Sequence, residues 1–147
     1  MQDNKDILNI IREVSKVCFM PLTFGGRIRT IEDIRMRIQN GADKITINTA
    51  ALEDPSFISE SSMIFGSQCI IVSIDYKYVN GLPKVFKGGR IMTDIDPVHW
   101  AVEAERRGAG EIFLNSIDRD GSAEGYDIPL IKKLADTLKI PLIVAGG

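Results

Sequence analysis

The chain has 147 residues, 44% of them hydrophobic and 26% charged, which excludes a disordered polymer and supports a sizeable folded core. A formal net charge of −2 gives no electrostatic footing for nucleic acid or for an anionic membrane surface. No apolar run is long enough to span a bilayer, and residues 1–6 lack the basic-then-apolar order of a signal peptide, so a cytoplasmic location is expected. Cys18 and Cys69 have no metal-type spacing and read as reduced core cysteines; no metal and no cofactor is expected.

Apolar residues at Ile7, Leu8, Ile11, Val14 and Val17 have helical spacing and predict an amphipathic helix over 6–17. Residues 19–24 read as a strand, with Pro21 near its start, where a missing donor matters least. Thr30 followed by Asp33 is a helix-capping pattern, and Asn40-Gly41 is a stop signal. Residues 44–49 form the next strand. Asp54-Pro55 opens a helix that closes near Phe65-Gly66.

The run from Cys69 to Asp75 is nearly all apolar, as in a strand buried on both faces, and ends in a carboxylate. Barrels and open α/β sheets carry their chemistry at that end of a strand. Residues 76–93 break the rhythm. Asn80-Gly81 is a hairpin turn and Gly88-Gly89 a second loop signal, so an inserted ribbon is expected beyond the strand end. Asp96-Pro97 restarts a helix that runs through Arg107. Residues 111–115 are a strand, 116–125 a polar loop, 128–138 a helix and 141–145 a last strand.

Strict α/β alternation with short links implies parallel strands. An internal repeat narrows the architecture. The Pro21 to Gly26 stretch resembles Pro141 to Gly147, the pair Gly25-Gly26 answering Gly146-Gly147. Each copy follows a helix read as opened by an aspartate, Asp6 or Asp127, and the copies lie four β-α units apart. Half of an eightfold barrel has that period. The expected fold is therefore a partial TIM (β/α)8 barrel in one domain, 1–147. Five parallel strands cannot close, and a complete barrel takes about 250 residues, so the chain reads as a fragment or a gene model cut at both ends.

Several strings in order carry a specific resemblance. They are Phe-Met-Pro-Leu-Thr-Phe-Gly-Gly-Arg-Ile-Arg (19–29), Asn-Gly-Ala-Asp-Lys-Ile-Thr-Ile-Asn-Thr-Ala-Ala (40–51), Val-Ser-Ile-Asp (72–75), Arg-Gly-Ala-Gly-Glu-Ile (107–112) and Ser-Ile-Asp-Arg-Asp-Gly (116–121) with Gly-Tyr-Asp (125–127). Together they resemble the cyclase subunit of imidazole glycerol phosphate synthase, as strands three to seven of its barrel. The resemblance implies a lyase of histidine biosynthesis. Ammonia from a glutaminase subunit closes an imidazole ring on a bis-phosphorylated ribulosyl substrate, giving imidazole glycerol phosphate and an aminoimidazole carboxamide ribotide.

It implies further that Asp75 is one of two catalytic carboxyls, its partner lying before residue 1. Two carboxyls facing each other across a barrel can deliver and remove protons on opposite sides of a substrate. One phosphate site would use Gly26, Arg27, Asn48 and Thr49. The second would use Asp120, Gly121 and Gly147. Asp43, Lys44 and Glu111 would form a charged gate where ammonia enters. Three positions depart from the pattern: Arg27 stands for a third glycine, Asn115 for a threonine and Ala145 for a serine. They point to a cyclase-like paralogue that helps install amidino groups on surface polysaccharides. A non-catalytic phosphate-binding or docking remnant is a third reading. His99, Trp100 and Arg106-Arg107 read as outer-helix residues with structural roles.

Overall fold

A computed structural model describes residues 2–147, with side chains from residue 6 onward; Met1, where the segment read for a leader begins, lies outside them. The elements in chain order are α1 (Gln2–Ser15), β1 (Thr23–Gly25), α2 (Ile31–Gln39), β2 (Lys44–Ile47), α3 (Thr49–Glu53), α4 (Ser56–Phe65), β3 (Ile70–Val79), β4 (Leu82–Lys87), β5 (Ile91–Met92), α5 (Pro97–Arg106), β6 (Glu111–Ser116), α6 (Ile128–Thr137) and β7 (Leu142–Ala145). Five strands run parallel in the order β1-β2-β3-β6-β7. The sheet curls into half a barrel with the helices outside, the architecture of a partial (β/α)8 barrel. β1 and β7 do not pair with each other.

The core lies between the convex face of the sheet and the helices. Ile45, Ile47, Ile70, Val72, Ile74, Ile112 and Leu114 meet Ile34, Ile58, Ala101, Ala104 and Leu134, all buried. Trp100 is buried in this layer, as expected of helix-to-barrel packing, and His99 is exposed on the same helix. At the edge of the layer Arg37 is 1% exposed, its guanidinium stacked 5.4 Å from the Phe24 ring centroid and its Nη1 donating to the Asp33 carbonyl.

The capping signals act as read. Thr30 Oγ1 accepts from the Asp33 backbone while Asp33 Oδ2 accepts from the Thr30 backbone, closing a reciprocal box at α2. Asp96 and Asp127 cap α5 and α6, each followed by proline in the first turn.

Several boundaries differ from the sequence reading, each for a local reason. α1 begins at Gln2, so Asp6 lies within it rather than opening it. The first strand shrinks to three residues. β2 starts at Lys44 and offers residues 19–22 no partner beyond the Leu22 carbonyl, which accepts from the Asp43 and Lys44 amides. Phe19 and Met20 are 98% and 75% exposed. Cys18 and Cys69 are free thiols, but neither is fully buried: Cys18 lies in the link before β1, and Cys69 in a 3-10 turn before β3. A short helix, α3, stands between β2 and α4 where none was read.

The largest difference is β3. It runs ten residues without a break and passes through Asp75. Its first half pairs with β2 and its second half pairs antiparallel with β4, so the expected ribbon grows out of the same strand. Asn80 and Gly81 have φ of 51° and 77°, the pair of left-handed residues a tight hairpin turn requires.

Candidate active site

Side chains alternate across a strand, so every second residue of the parallel strands faces the concave side of the sheet. That face carries Lys44, Thr46 and Asn48 on β2 and its end, Ile71, Ser73 and Asp75 on β3, and Glu111, Phe113 and Asn115 on β6. An apolar hollow over its middle is lined by Thr46, Ile71, Ser73, Phe113 and Ile143, among others. The face therefore has three zones: charges at the amino ends of the strands, an apolar waist, and amides with one carboxylate at the carboxyl ends.

Asp75 lies directly opposite Asn115 in the β3–β6 register, and Asn115 opposite Ala145 of β7. Asn115 Nδ2 donates to Asp75 Oδ1 at 3.0 Å, and Asn48 Nδ2 donates to Asp75 Oδ2 at 3.0 Å. Each carboxylate oxygen thus receives one amide N–H and keeps lone-pair capacity for a further proton. The Asn48 amide is itself oriented, because its Oδ1 accepts from the Gly88 backbone N–H at 3.1 Å. Gly88 lies in the turn between β4 and β5. The hairpin folds back over the end of β2, and Lys87 Nζ is 3.0 Å from Glu53 Oε1 of α3.

A cavity of about 420 Å³ opens beside Asp75, lined by Gly26, Arg27, Ile28, Arg29, Thr46, Ile47, Asn48, Thr49, Ser73 and Gly88. The structure therefore brings Asp75, Gly26, Arg27, Asn48 and Thr49 together. Arg27 holds a left-handed backbone with φ of 54°, so the glycine-like pose persists although a side chain is present. A non-glycine residue in that region costs on the order of 1 kcal/mol. The loop is fixed from α2. Burial pushes the Asp33 carboxyl up, but hydrogen bonds from the Arg29 amide, the Thr30 hydroxyl and the Thr30 amide outweigh it and hold the group below its ordinary range.

Asp120, Gly121 and Gly147 follow β6 and β7 at the same end of the sheet but do not line that cavity. Asp120 and Gly121 are exposed. Gly147 lies against the Tyr126 ring. The loop after β6, which carries Asp120 and Gly121, is tied to the β3 extension: Asp118 accepts from the Tyr78 amide, and Lys77 pairs with Asp118. Buried Asp127 accepts from both the Tyr76 and Tyr78 hydroxyls. Burial, with the Asp127 carboxylate close by, pushes the Tyr76 hydroxyl up to about 12.

At the amino end, Lys44 Nζ forms a partly buried ion pair with Glu111 across β3. Four residues of β6, a rise of about 13 Å, separate Glu111 from Asn115 beside Asp75. Asp43 does not share that pair: its Oδ2 accepts from the Leu22 amide at 2.7 Å, and it lines a shallow cavity with Cys18, Phe19 and Met20.

A family model described as histidine biosynthesis protein matches residues 1–147, the whole chain. The chain belongs to this family. It is also 48% identical over 148 aligned residues to a protein of Sulfurisphaera tokodaii named imidazole glycerol phosphate synthase subunit HisF. That alignment covers 100% of this chain and 59% of the relative, so the chain spans less than two thirds of the relative's length.

Within this histidine biosynthesis fold, sequence reading missed three contributors to the site. Ser73 lines the cavity two residues before Asp75, and a period of two from Asp75 would have found it. Asn115 stands out in the sequence only as a departure from the cyclase pattern; its contact with Asp75 depends on the β3–β6 register. The Gly88 amide reaches Asn48 only because the hairpin turns back over β2, and no local signal encodes that direction. No helix among the described residues is long and apolar enough to cross a membrane.

Proposed function

We propose that the protein carrying this chain is the cyclase subunit of imidazole glycerol phosphate synthase, a lyase that takes ammonia from a glutaminase subunit. The single observation that carries this reading is Asp75, held by two amides at the head of a cavity that also contains Gly26, Arg27, Asn48 and Thr49. Ring closure needs a proton acceptor and a proton donor placed on a bound substrate. Asp75 supplies one such group, and it is the one carboxyl among the residues lining the cavity. The turn after β1 presents backbone amides and Arg27 to a phosphate, with Asn48 and Thr49 opposite. The second phosphate goes to the loops carrying Asp120, Gly121 and Gly147.

The Lys44–Glu111 pair stands at the far end of the concave face and gates ammonia entry, with the apolar waist as its path. The exposed Phe19 and Met20, beside Asp43 at that same end, suit the docking of the glutaminase. Asn48 and Asn115 act as positioning residues for Asp75. The Asn115 contact favours a second reading, a paralogue of the cyclase acting on an amidino-sugar precursor, because a side chain that departs from the cyclase pattern touches the candidate acid–base group itself.

The test supplies the full-length protein with the bis-phosphorylated ribulosyl substrate and ammonium, and follows imidazole glycerol phosphate by chromatography. Product formation that rises with ammonium supports the cyclase. Intact substrate, from protein shown to be folded, rejects it in favour of the paralogue.

A further inference from the structure

We propose a second anion subsite between α3 and the β4–β5 hairpin, where Arg29, Lys87 and Arg90 receive an anionic group in series with the one held at the β1 turn. A cleft of about 420 Å³ is lined there by Arg29, Thr49, Glu53, Lys87, Gly88, Arg90 and Ile91. It adjoins the Asp75 cavity, since Arg29, Thr49 and Gly88 line both. Three cations face one carboxylate in the cleft, although the chain as a whole carries a net charge of −2. Such local reversal of sign within a concave wall raises the local concentration of anions.

The chemistry of the walls narrows the ligand. Two guanidinium groups and one ammonium suit phosphate oxygens, and arginine offers them paired donors. Lys87 is neutralised in part by Glu53 at 3.0 Å, so Arg29 and Arg90 carry the unmatched charge of the lining. Arg27 and Arg29 are two residues apart on the link from β1 to α2 and both line the Asp75 cavity, while Arg29 also faces the cleft. A ligand with two linked phosphoryl groups would place one at the β1 turn and the second toward Arg90. This inference rests on the reading that the β1 turn binds phosphate, and it adds a charge that the two terminal phosphates of the cyclase substrate do not use.

Calorimetric titration of the full-length protein at low ionic strength with inorganic phosphate and with pyrophosphate tests the subsite. Pyrophosphate is expected to bind about tenfold tighter than phosphate, since it gains charge-assisted contacts in the cleft. Arg90→Gln removes most of that advantage and leaves phosphate affinity unchanged. Glu53→Gln increases the advantage, because Lys87 is released to the ligand. Opposite responses to two single-charge changes cannot come from loss of folding. Equal affinity for the two ions, or a ratio unmoved by Arg90→Gln, overturns the subsite and leaves the β1 reading intact. Pyrophosphate binding that responds to Arg90→Gln, in a protein that does not bind phosphate, retains the subsite and overturns the β1 reading. Binding of neither ion overturns both.

Discussion

The two copies of the internal repeat end in the same backbone turn but in different company. Counted from Pro21 and Pro141, Thr23 answers Ile143 and Gly25 answers Ala145, both pairs facing inward. Gly26 then answers Gly146, with φ of 98° and 79°, and Arg27 answers Gly147. The structural correspondence is one residue off the pairing of Gly25-Gly26 with Gly146-Gly147 that the sequence suggests. At β1 the turn opens on the cavity, and a Cβ added to Gly26 meets nothing within 4 Å. At β7 a Cβ on Gly146 would collide with the Ser116 carbonyl oxygen, and one on Gly147 would lie 2.7 Å from Tyr126. The same motif thus opens on a cavity in one place and packs against backbone in the other.

Substituting the two matched glycines sharpens the contrast most. Gly146→Ala combines left-handed strain with a collision against backbone and should cost more than about 3 kcal/mol. Gly26→Ala has only the strain to bear and should cost about 1–2 kcal/mol. Urea denaturation of both variants decides it; equal losses would mean that the two turns are alike after all.

Arg27→Gly makes the β1 turn resemble the β7 turn. Relief of left-handed strain and the greater freedom of glycine in the unfolded chain oppose each other, so stability should stay within about 1 kcal/mol of the parent. Phosphate affinity should fall several-fold, as read by calorimetry, because a cation leaves the cavity. Unchanged affinity would leave Arg27 without a part in the cradle.

The two ends also respond to pH in opposite directions, with smaller effects. Asp33, beside the β1 turn, has a folded-state value below its ordinary 3.8. Its stabilising contribution is present above pH 3.8 and is lost as pH falls through the folded value. Asp33→Asn should weaken α2 by about 1 kcal/mol at neutral pH and remove that part of the acid sensitivity, seen as a flatter plot of urea midpoint against pH. Tyr76, tied through Asp127 to the helix before β7, is raised from 10.0 to about 12. Its contribution is complete below pH 10 and declines as pH rises from there through 12. Tyr76→Phe removes one of two hydroxyl donors to the buried Asp127 carboxylate and should cost about 1–2 kcal/mol at neutral pH while flattening the alkaline limb. Alkaline melting curves that superimpose on those of the parent would remove Tyr76 from the account.

Much of this was legible from local pattern. Caps at Thr30, Asp96 and Asp127 identify themselves by residue type and spacing, and the buried run before Asp75 could only be an interior strand. What stayed hidden depends on partners distant in sequence. Residues 19–22 look extended, but a strand exists only where a neighbour lies beside it. Tyr76 to Val79 fit a hairpin arm and a strand continuation equally well, and the pairing with β4 makes them both at once. The five residues of α3 are too few for periodicity to speak. In the site, Asp75 was legible because it ends an apolar run. Its two amide partners are 27 and 40 residues away in sequence, and the register alone brings them to it.

Replacing Asp75 by asparagine in the full-length protein tests the central claim most directly. Asn48 cannot easily reverse its amide, since Gly88 holds its oxygen, so the new amide nitrogen should turn toward Asn115, which can flip. Local structure should therefore survive, with a thermal midpoint close to that of the parent, while ammonium-driven formation of imidazole glycerol phosphate drops by at least about 100-fold. A folded Asp75→Asn protein that turns over near the parent rate would contradict the assignment of Asp75 and the account built on it.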